Sequence, residues 1–306
     1  MKVSIGICAY NEENNIGDLL ENLVAQHLPQ EFKLEEIIVV SSGSTDRTNE
    51  IVGNSAEKDH RIKLITEKER RGKTQALNLF FKVAKGDILC IVSADTRPRV
   101  DSLKKLIESM KAKEVGGACA KTIPKSSQGF LSLWYLFLWN ASNKVLFEKW
   151  KNGSLDRLGG DMWAVRKGIV LRIPSEIIND DVYLGTALRR KNWQIVFAPN
   201  AEVFIASPRT VMDYFQQRER ILIGHKQIRR VTGIEPSTLS AMIFSNPYSL
   251  LRMLIEEVRM YKINRWPKIF VGFYLEMITQ FIVRTGLHRK GNYLKWKQIK
   301  STKTLK

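Results

Sequence analysis

Two acidic positions have surroundings that suit chemistry. The first is Asp95, in the run GDILCIVSADTRPR at residues 86–99. Ile88 to Val92 is apolar throughout; Ser93, Ala94 and Asp95 follow, and Pro98 ends any strand pairing. A carboxylate at the end of a buried strand is held by rigid backbone. It can contribute an oxygen to a Mg²⁺ or Mn²⁺ shell completed by ligand oxygens, or simply cap the turn before Pro98. The second position is the pair Asp180 and Asp181 in NDDVYLG. These residues open a predicted helix, whose positive end favours an ionised carboxylate. Such a group can accept a proton from an attacking hydroxyl, or serve as an N-cap. Cys8, Cys90 and Cys119 lie in or beside apolar runs without paired spacing, so neither a disulfide framework nor a zinc site is indicated. His27, His60, His225 and His288 are scattered, and only His225 is expected near a site.

The elements that must position these acids alternate along the first two thirds of the chain. Strand-like runs at 3–10, 35–42, 61–66, 87–93 and 114–122 are separated by helical periodicity at 12–26, 45–58, 72–85 and 100–113, with Thr45 or Asp46 as cap of the second helix. This alternation predicts an α/β fold, a Rossmann-like and mostly parallel sheet flanked by helices. Ligands in such sheets bind beyond the carboxyl ends of the strands. That rim would carry Tyr10, Asn11, Glu12, Ser41 to Asp46 and Ser93 to Asp95.

The net charge of +18 is unevenly placed. Residues 1–206 carry 30 Lys and Arg against 25 Asp and Glu, whereas residues 207–306 carry 19 against 6. The shift divides the chain into a domain at 1–206, with halves of about 1–96 and 97–206, and a basic, α-helical C-terminal region at 207–306. A basic segment of this kind suits an anionic partner, and an anionic membrane surface is expected.

Several stretches resemble the family-2 glycosyltransferases of the GT-A fold: AYNEE after the first strand, SGSTDRT after the second, RGKTQALN, SADT, LGGDMWAVRKG at 158–168, INDDVYLGTALRRKNWQIVFAP at 178–199, and QRERILIG at 217–224. Their order matches as well as their wording. The resemblance implies an inverting transfer of a sugar from a UDP- or GDP-linked nucleoside-diphosphate sugar to an acceptor hydroxyl or phosphate on a glycan or lipid-linked molecule. It implies that Ala9, Tyr10, Glu12, Ser42, Asp46, Lys73, Ala94 and Asp95 bind the nucleotide sugar, with Asp95 as the acid on Mg²⁺ or Mn²⁺. Asp181, beside Asp180, would be the general base, and Gly160, Asp161, Gln217 and Arg220 would face the acceptor or diphosphate.

Three departures from the family pattern stand out. Ser41 and Ser42 stand where two acids are common, Ser93 replaces the first acid of the metal motif, and Ile221 replaces a tryptophan. Asp46 is expected to compensate in part for Ser42.

FLSLWYLFLWNASNKVLFEKW at 130–150 is apolar around most of a helix, so it is expected to be buried or to lie on lipid. Beyond residue 236, apolar and aromatic residues interleave with Arg and Lys, and Glu276 interrupts the longest charge-sparse run, Ile269 to Val283. That run falls short of the roughly 20 residues that span a bilayer. Interfacial helices are predicted instead, with Trp266, Tyr274 and Trp296 as anchors, on the cytoplasmic face of a membrane. A lipid acceptor would then enter between the aromatic helix and the basic segment. The competing readings are a nucleotide-binding family member without activity and a basic nucleic-acid-binding protein. Acids on the crevice rim argue against nucleic acid as a partner.

Overall fold

The apolar runs of the first 100 residues become the strands that the periodicity predicts. In the computed structural model, which describes residues 1–125, 129–169, 172–239, 241–242, 246–287 and 293, they are β1 (Lys2–Ala9), β2 (Lys33–Ser42), β3 (Ile62–Glu67) and β4 (Ile88–Val92). Between them run α1 (Ile16–Val24), α2 (Thr48–Lys58) and α3 (Lys73–Val83). The short β5 (Thr96–Pro98) leads to α4 (Ser102–Glu108), which is shorter than the 100–113 periodicity predicts because residues 109–114 turn into β6 (Val115–Pro124). The remaining elements are α5 (Phe130–Lys151), β7 (Met162–Arg166), α6 (Asp180–Arg190), β8 (Gln194–Ile205), α7 (Val211–Thr232), α8 (Pro247–Arg259) and α9 (Trp266–Thr285).

One sheet of eight strands has the order β3-β2-β1-β4-β7-β6-β8-β5. The first four strands in that order are parallel, as predicted, and so are β6 and β8. The sheet is nevertheless mixed. β7 enters antiparallel between β4 and β6, with Val92 opposite Met162, and β5 runs antiparallel to β8. Because β7 reverses direction, the start of β7 lies on the same edge as the ends of β1, β2 and β4.

Alternate strand residues supply two cores. Val3, Ile5, Ile7, Ile37, Val39 and Cys90 pack under Leu19, Leu20 and Leu23 of α1 and Leu103 and Leu106 of α4. Ile38, Val40, Leu89 and Ile91 pack on the other face against Leu77 and Phe80 of α3 and Leu184 and Leu188 of α6. The three cysteines are unpaired; Cys90 and Cys119 are buried.

The aromatic helix α5 is covered by protein. Trp134 stacks on Phe137 with centroids 5.4 Å apart, and Phe273 of α9 meets both rings edge-on at 4.9 and 5.3 Å. Gly272 permits this approach, since a Cβ there would lie 2.1 Å from the Trp134 ring. A buried polar chain continues the contact. Trp134 Nε1 donates to Tyr214 Oη (2.8 Å), and Tyr214 donates to Glu276 (2.6 Å). Arg218 then clasps Glu276 through two hydrogen bonds of 2.9 and 2.6 Å. The α5–α9 part of the junction between the aromatic helix and the basic segment, where a lipid is expected to enter, is therefore filled, while residues of α5 and α7 line an open space between them. Among the described residues, no helix is long and apolar enough to cross a membrane. Trp296 and His288 lie outside the described residues.

Candidate active site

The carboxyl ends of β1, β2 and β4, the start of β7 and the N-terminus of α6 surround a cavity of about 320 Å³. The loops at this rim fasten one another. Asn11, in the left-handed region at φ 52°, accepts from Thr45 N (2.8 Å), and its own N–H donates to Ser44 Oγ (3.1 Å). Gly43 (φ +71°) has the Arg70 backbone nitrogen 2.5 Å from where a Cβ would stand, so only glycine fits this turn. The Arg70 guanidinium lies over the Tyr10 ring, 3.9 Å from the centroid.

Nearly every residue singled out by sequence lines this one cavity: Ala9, Tyr10, Glu12, Ser42, Lys73, Ala94 and Asp95 from the strand ends, Gly160 and Asp161 before β7, Asp180 and Asp181 on α6, and Gln217 and Arg220 on α7. Asp46 is the exception. Its carboxylate accepts from the Thr48 N–H (3.0 Å) and from Glu13 N (3.1 Å). It thus ties the start of α2 to the loop after β1 and does not line the cavity. The expected compensation for Ser42 is corrected accordingly; Ser42 Oγ instead accepts from Arg71 N (3.1 Å). At the start of α2 the N-cap position itself is Arg47, not Thr45 or Asp46.

The acid sites are unequal. Lys73 Nζ lies 3.1 Å from Asp180 Oδ2. Burial works against the lysine's charge, but Asp180 and Asp181 outweigh it and Lys73 titrates above its ordinary value. Asp181 is pushed up to about 6 by desolvation and by Asp180, with Lys73 and Arg157 opposing. A Cβ on Gly160 would come 3.1 Å from Asp181 Oδ2, so the glycine leaves room for that carboxylate. Desolvation also raises Asp161 to about 6, and Asp95 adds to the effect. Thr122 Oγ1 donates to Asp161 Oδ2 (2.8 Å), and Ser93 N donates to the Asp161 carbonyl (2.9 Å).

Sequence reasoning gave Asp161 to the acceptor or diphosphate and did not link it to Asp95. The antiparallel entry of β7 beside β4 brings it into electrostatic reach of Asp95, on the side where Ser93 leaves the family's first metal acid missing. Among the described residues, no three His, Cys, Asp or Glu side chains group as a complete metal cage. Two carboxylates at an open cavity fit a Mg²⁺ or Mn²⁺ ion that takes its remaining oxygens from substrate and water, as small hard cations commonly do. Sequence reasoning also missed Arg70, Arg157 and Arg218, whose spacing carries no motif. On the far wall, Gln217 Oε1 and His225 Nδ1 are buried without hydrogen-bond partners.

A sequence profile described as glycosyl transferase family 2 matches residues 4–173. A probable glycosyltransferase, YdaM of Bacillus subtilis (strain 168), is 29% identical over 243 residues, 74% of this chain and 56% of the relative. The chain thus spans just over half of that relative's length. Among solved structures, the mannosyltransferase PcManGT from Pyrobaculum calidifontis, in complex with GDP-Man and Mn²⁺, aligns with a TM-score of 0.60 at 19% identity, covering 95% of this chain and 84% of that one. S. aureus TarS 1–349 in complex with UDP-GlcNAc aligns with a TM-score of 0.54 at 18% identity, covering 89% and 79%. At these identities the likeness shows a shared fold.

Proposed function

The chain belongs to glycosyl transferase family 2, and we propose that it moves a sugar from a nucleoside-diphosphate sugar to an acceptor hydroxyl by direct displacement. The observation that carries this reading is that Asp95 and Asp181 line one cavity together with Lys73 and Arg220. Each group has a task that the chemistry requires. Cleaving a sugar–phosphate bond builds negative charge on the departing diphosphate, and Lys73 and Arg220 are cations able to receive it. Arg220 is desolvated, which lowers its pKa, while Asp180, Asp181 and Asp95 hold its charge in place. Asp95 with Asp161 would hold Mg²⁺ or Mn²⁺, which would neutralise charge on the diphosphate. Asp181, half-buried beside Gly160, takes the proton of the attacking hydroxyl. Tyr10, topped by Arg70, offers a rigid edge for the nucleotide base.

The test is calorimetric titration of UDP, GDP and their sugars, with and without Mn²⁺, followed by assay of diphosphate release on adding acceptor. Asp95→Asn should weaken Mn²⁺-dependent donor binding by about tenfold or more, and should leave the weaker metal-free binding as it was. No binding of any nucleoside diphosphate by the wild-type chain would overturn the reading.

The C-terminal helices support a membrane-surface location. Phe270, Tyr274, Met277 and Phe281 form a stripe on α9 at helical spacing, 59 to 68% exposed, and Tyr248, Leu251 and Ile255 do the same on α8. Exposed Arg252, Arg259, Lys262, Arg265 and Lys268 lie along the same segment. This pairing of apolar stripe and basic charge suits an anionic bilayer surface and a lipid-linked acceptor. Wild-type protein should float with anionic vesicles at low salt and be released as salt rises. Phe270→Ser with Tyr274→Ser should remain in the soluble fraction, and equal flotation of both proteins would reject the docking face.

A further inference from the structure

The cavity extends past Asp181 to a cationic end that sugar transfer as described leaves unused. Arg157, in the loop before β7, is 8% exposed and lines this end with Ser142 of α5 and His225 of α7. Its Nε donates to the Ser237 carbonyl (2.8 Å) and its Nη2 to Ser142 Oγ (3.0 Å). Two other cations of the cavity have acid partners: Lys73 pairs with Asp180 at 3.1 Å and Arg218 with Glu276 at 2.6 Å. Arg157 makes no such ion pair among the described residues. Its opposing charges, Asp181 and then Asp156, act on it only through space, and a buried cation in that state gains when an anion meets it directly. His225 adds a second unmet group, because its Nδ1 is buried and has no hydrogen-bond partner.

We propose that Arg157, Ser142 and His225 form a subsite for a phosphate group carried by the acceptor, a reading that rests on the sugar transfer proposed above. Asp181 interacts electrostatically with Lys73 and with Arg157. An acceptor whose phosphate rests on Arg157 would therefore present a neighbouring hydroxyl to Asp181, with the nucleotide beyond. The three residues come from separate elements, the loop before β7, α5 and α7, line one cavity, and include the Arg157–Ser142 contact at 3.0 Å. A phosphate, with more than two acceptor oxygens, can engage all three. Burial lowers the Arg157 pKa, and burial together with Arg157 and Arg218 pushes His225 down to about 3. Both are shifts that an arriving anion would relieve. Tyr135, Leu138, Trp139 and Leu239 give the same end apolar walls, so the phosphate can belong to a lipid or to a soluble molecule.

Calorimetric titration of the full chain with inorganic phosphate, in the presence of saturating nucleoside diphosphate and Mg²⁺, tests the subsite. Wild type should bind phosphate, Arg157→Gln should weaken that binding by about tenfold or more, and Arg157→Lys should restore most of it. Ser142→Ala and His225→Gln, which leave the Arg157–Ser237 contact in place, should each weaken phosphate by a few-fold. Nucleoside diphosphate affinity measured in the same samples separates the two readings. If nucleotide binds and phosphate affinity is unchanged in Arg157→Gln, Ser142→Ala and His225→Gln, the subsite is wrong and the transfer reading stands; if nucleotide does not bind wild type, the transfer reading itself fails. Competition then names the source. Displacement of phosphate by dodecyl phosphate in micelles points to a lipid and displacement by glycerol phosphate to a soluble acceptor, whereas displacement only by neutral dodecyl maltoside overturns the proposal.

Discussion

Asp181→Asn abolishes sugar transfer, with turnover falling by about 10² to 10⁴-fold, while the affinity for nucleoside diphosphate stays within a few-fold of wild type. The asparagine has the same shape and so preserves packing against Gly160, where a Cβ would already stand 3.1 Å from the Asp181 carboxylate. It cannot accept the hydroxyl proton. Asp180→Asn behaves differently, because Asp180 is the partner of Lys73 at 3.1 Å and its loss should appear first in donor binding. The pH profile provides an independent check. Desolvation and Asp180 raise Asp181 to about 6, so the basic form dominates above that pH and the rate falls tenfold per unit below it. Asp161 is also raised to about 6, by burial and by Asp95, so donor affinity weakens over the same range. Single-turnover rates at saturating donor isolate the Asp181 contribution. A flat rate between pH 5 and 7 under those conditions, or full turnover by Asp181→Asn, would remove this residue from the mechanism.

The alternation of strands and helices was legible because buried parallel strands read as unbroken apolar runs, as in Ile88 to Val92, and amphipathic helices declare their period. Strand direction leaves no such trace. The Met162–Arg166 run reads the same whether it pairs parallel or antiparallel with β4, so the neighbourhood of Asp161 and Asp95 became visible only with the register Val92 opposite Met162. Asp46 shows the converse limit. An acid that fastens the start of a helix and an acid that binds a ligand occupy the same kind of position after a strand, and only the hydrogen bond from Thr48 N decides between them. Asp180 and Asp181 illustrate how the two roles can coexist. They open α6 as the sequence suggests, with Asn179 at the N-cap, yet both carboxylates line the cavity. The apolar character of α5 was plain as well. What covers it was not, because Phe273 lies more than a hundred residues away and the partners that fix α9 in place are polar.

Those polar partners carry the largest stability effect expected in the molecule. Glu276 looked like a flaw in an apolar run, but its side chain is only 10% exposed and it faces Arg218, which is 12% exposed. Glu276→Gln removes the counter-charge and leaves Arg218 buried among Tyr214, Trp134 and Tyr135. Breaking one side of a buried pair costs about 3–5 kcal/mol, against about 1 kcal/mol or less for an exposed pair. Urea unfolding distinguishes these values directly. Replacing both partners, Arg218→Met with Glu276→Leu, should recover most of the loss, because no charge is then stranded. Acid should mimic the single variant. Burial alone would raise the Glu276 pKa, but Arg218 outweighs it and holds the carboxyl below 4.5. The stabilisation is therefore complete at neutral pH and fades as pH falls through that depressed value. Because α7 also carries Gln217 and Arg220 to the cavity, a protein loosened at Glu276 should lose transfer well before it loses its sheet. A Glu276→Gln variant within 1 kcal/mol of wild type would mean that the ion pair is solvated and that aromatic packing on α5 alone holds α9 in place.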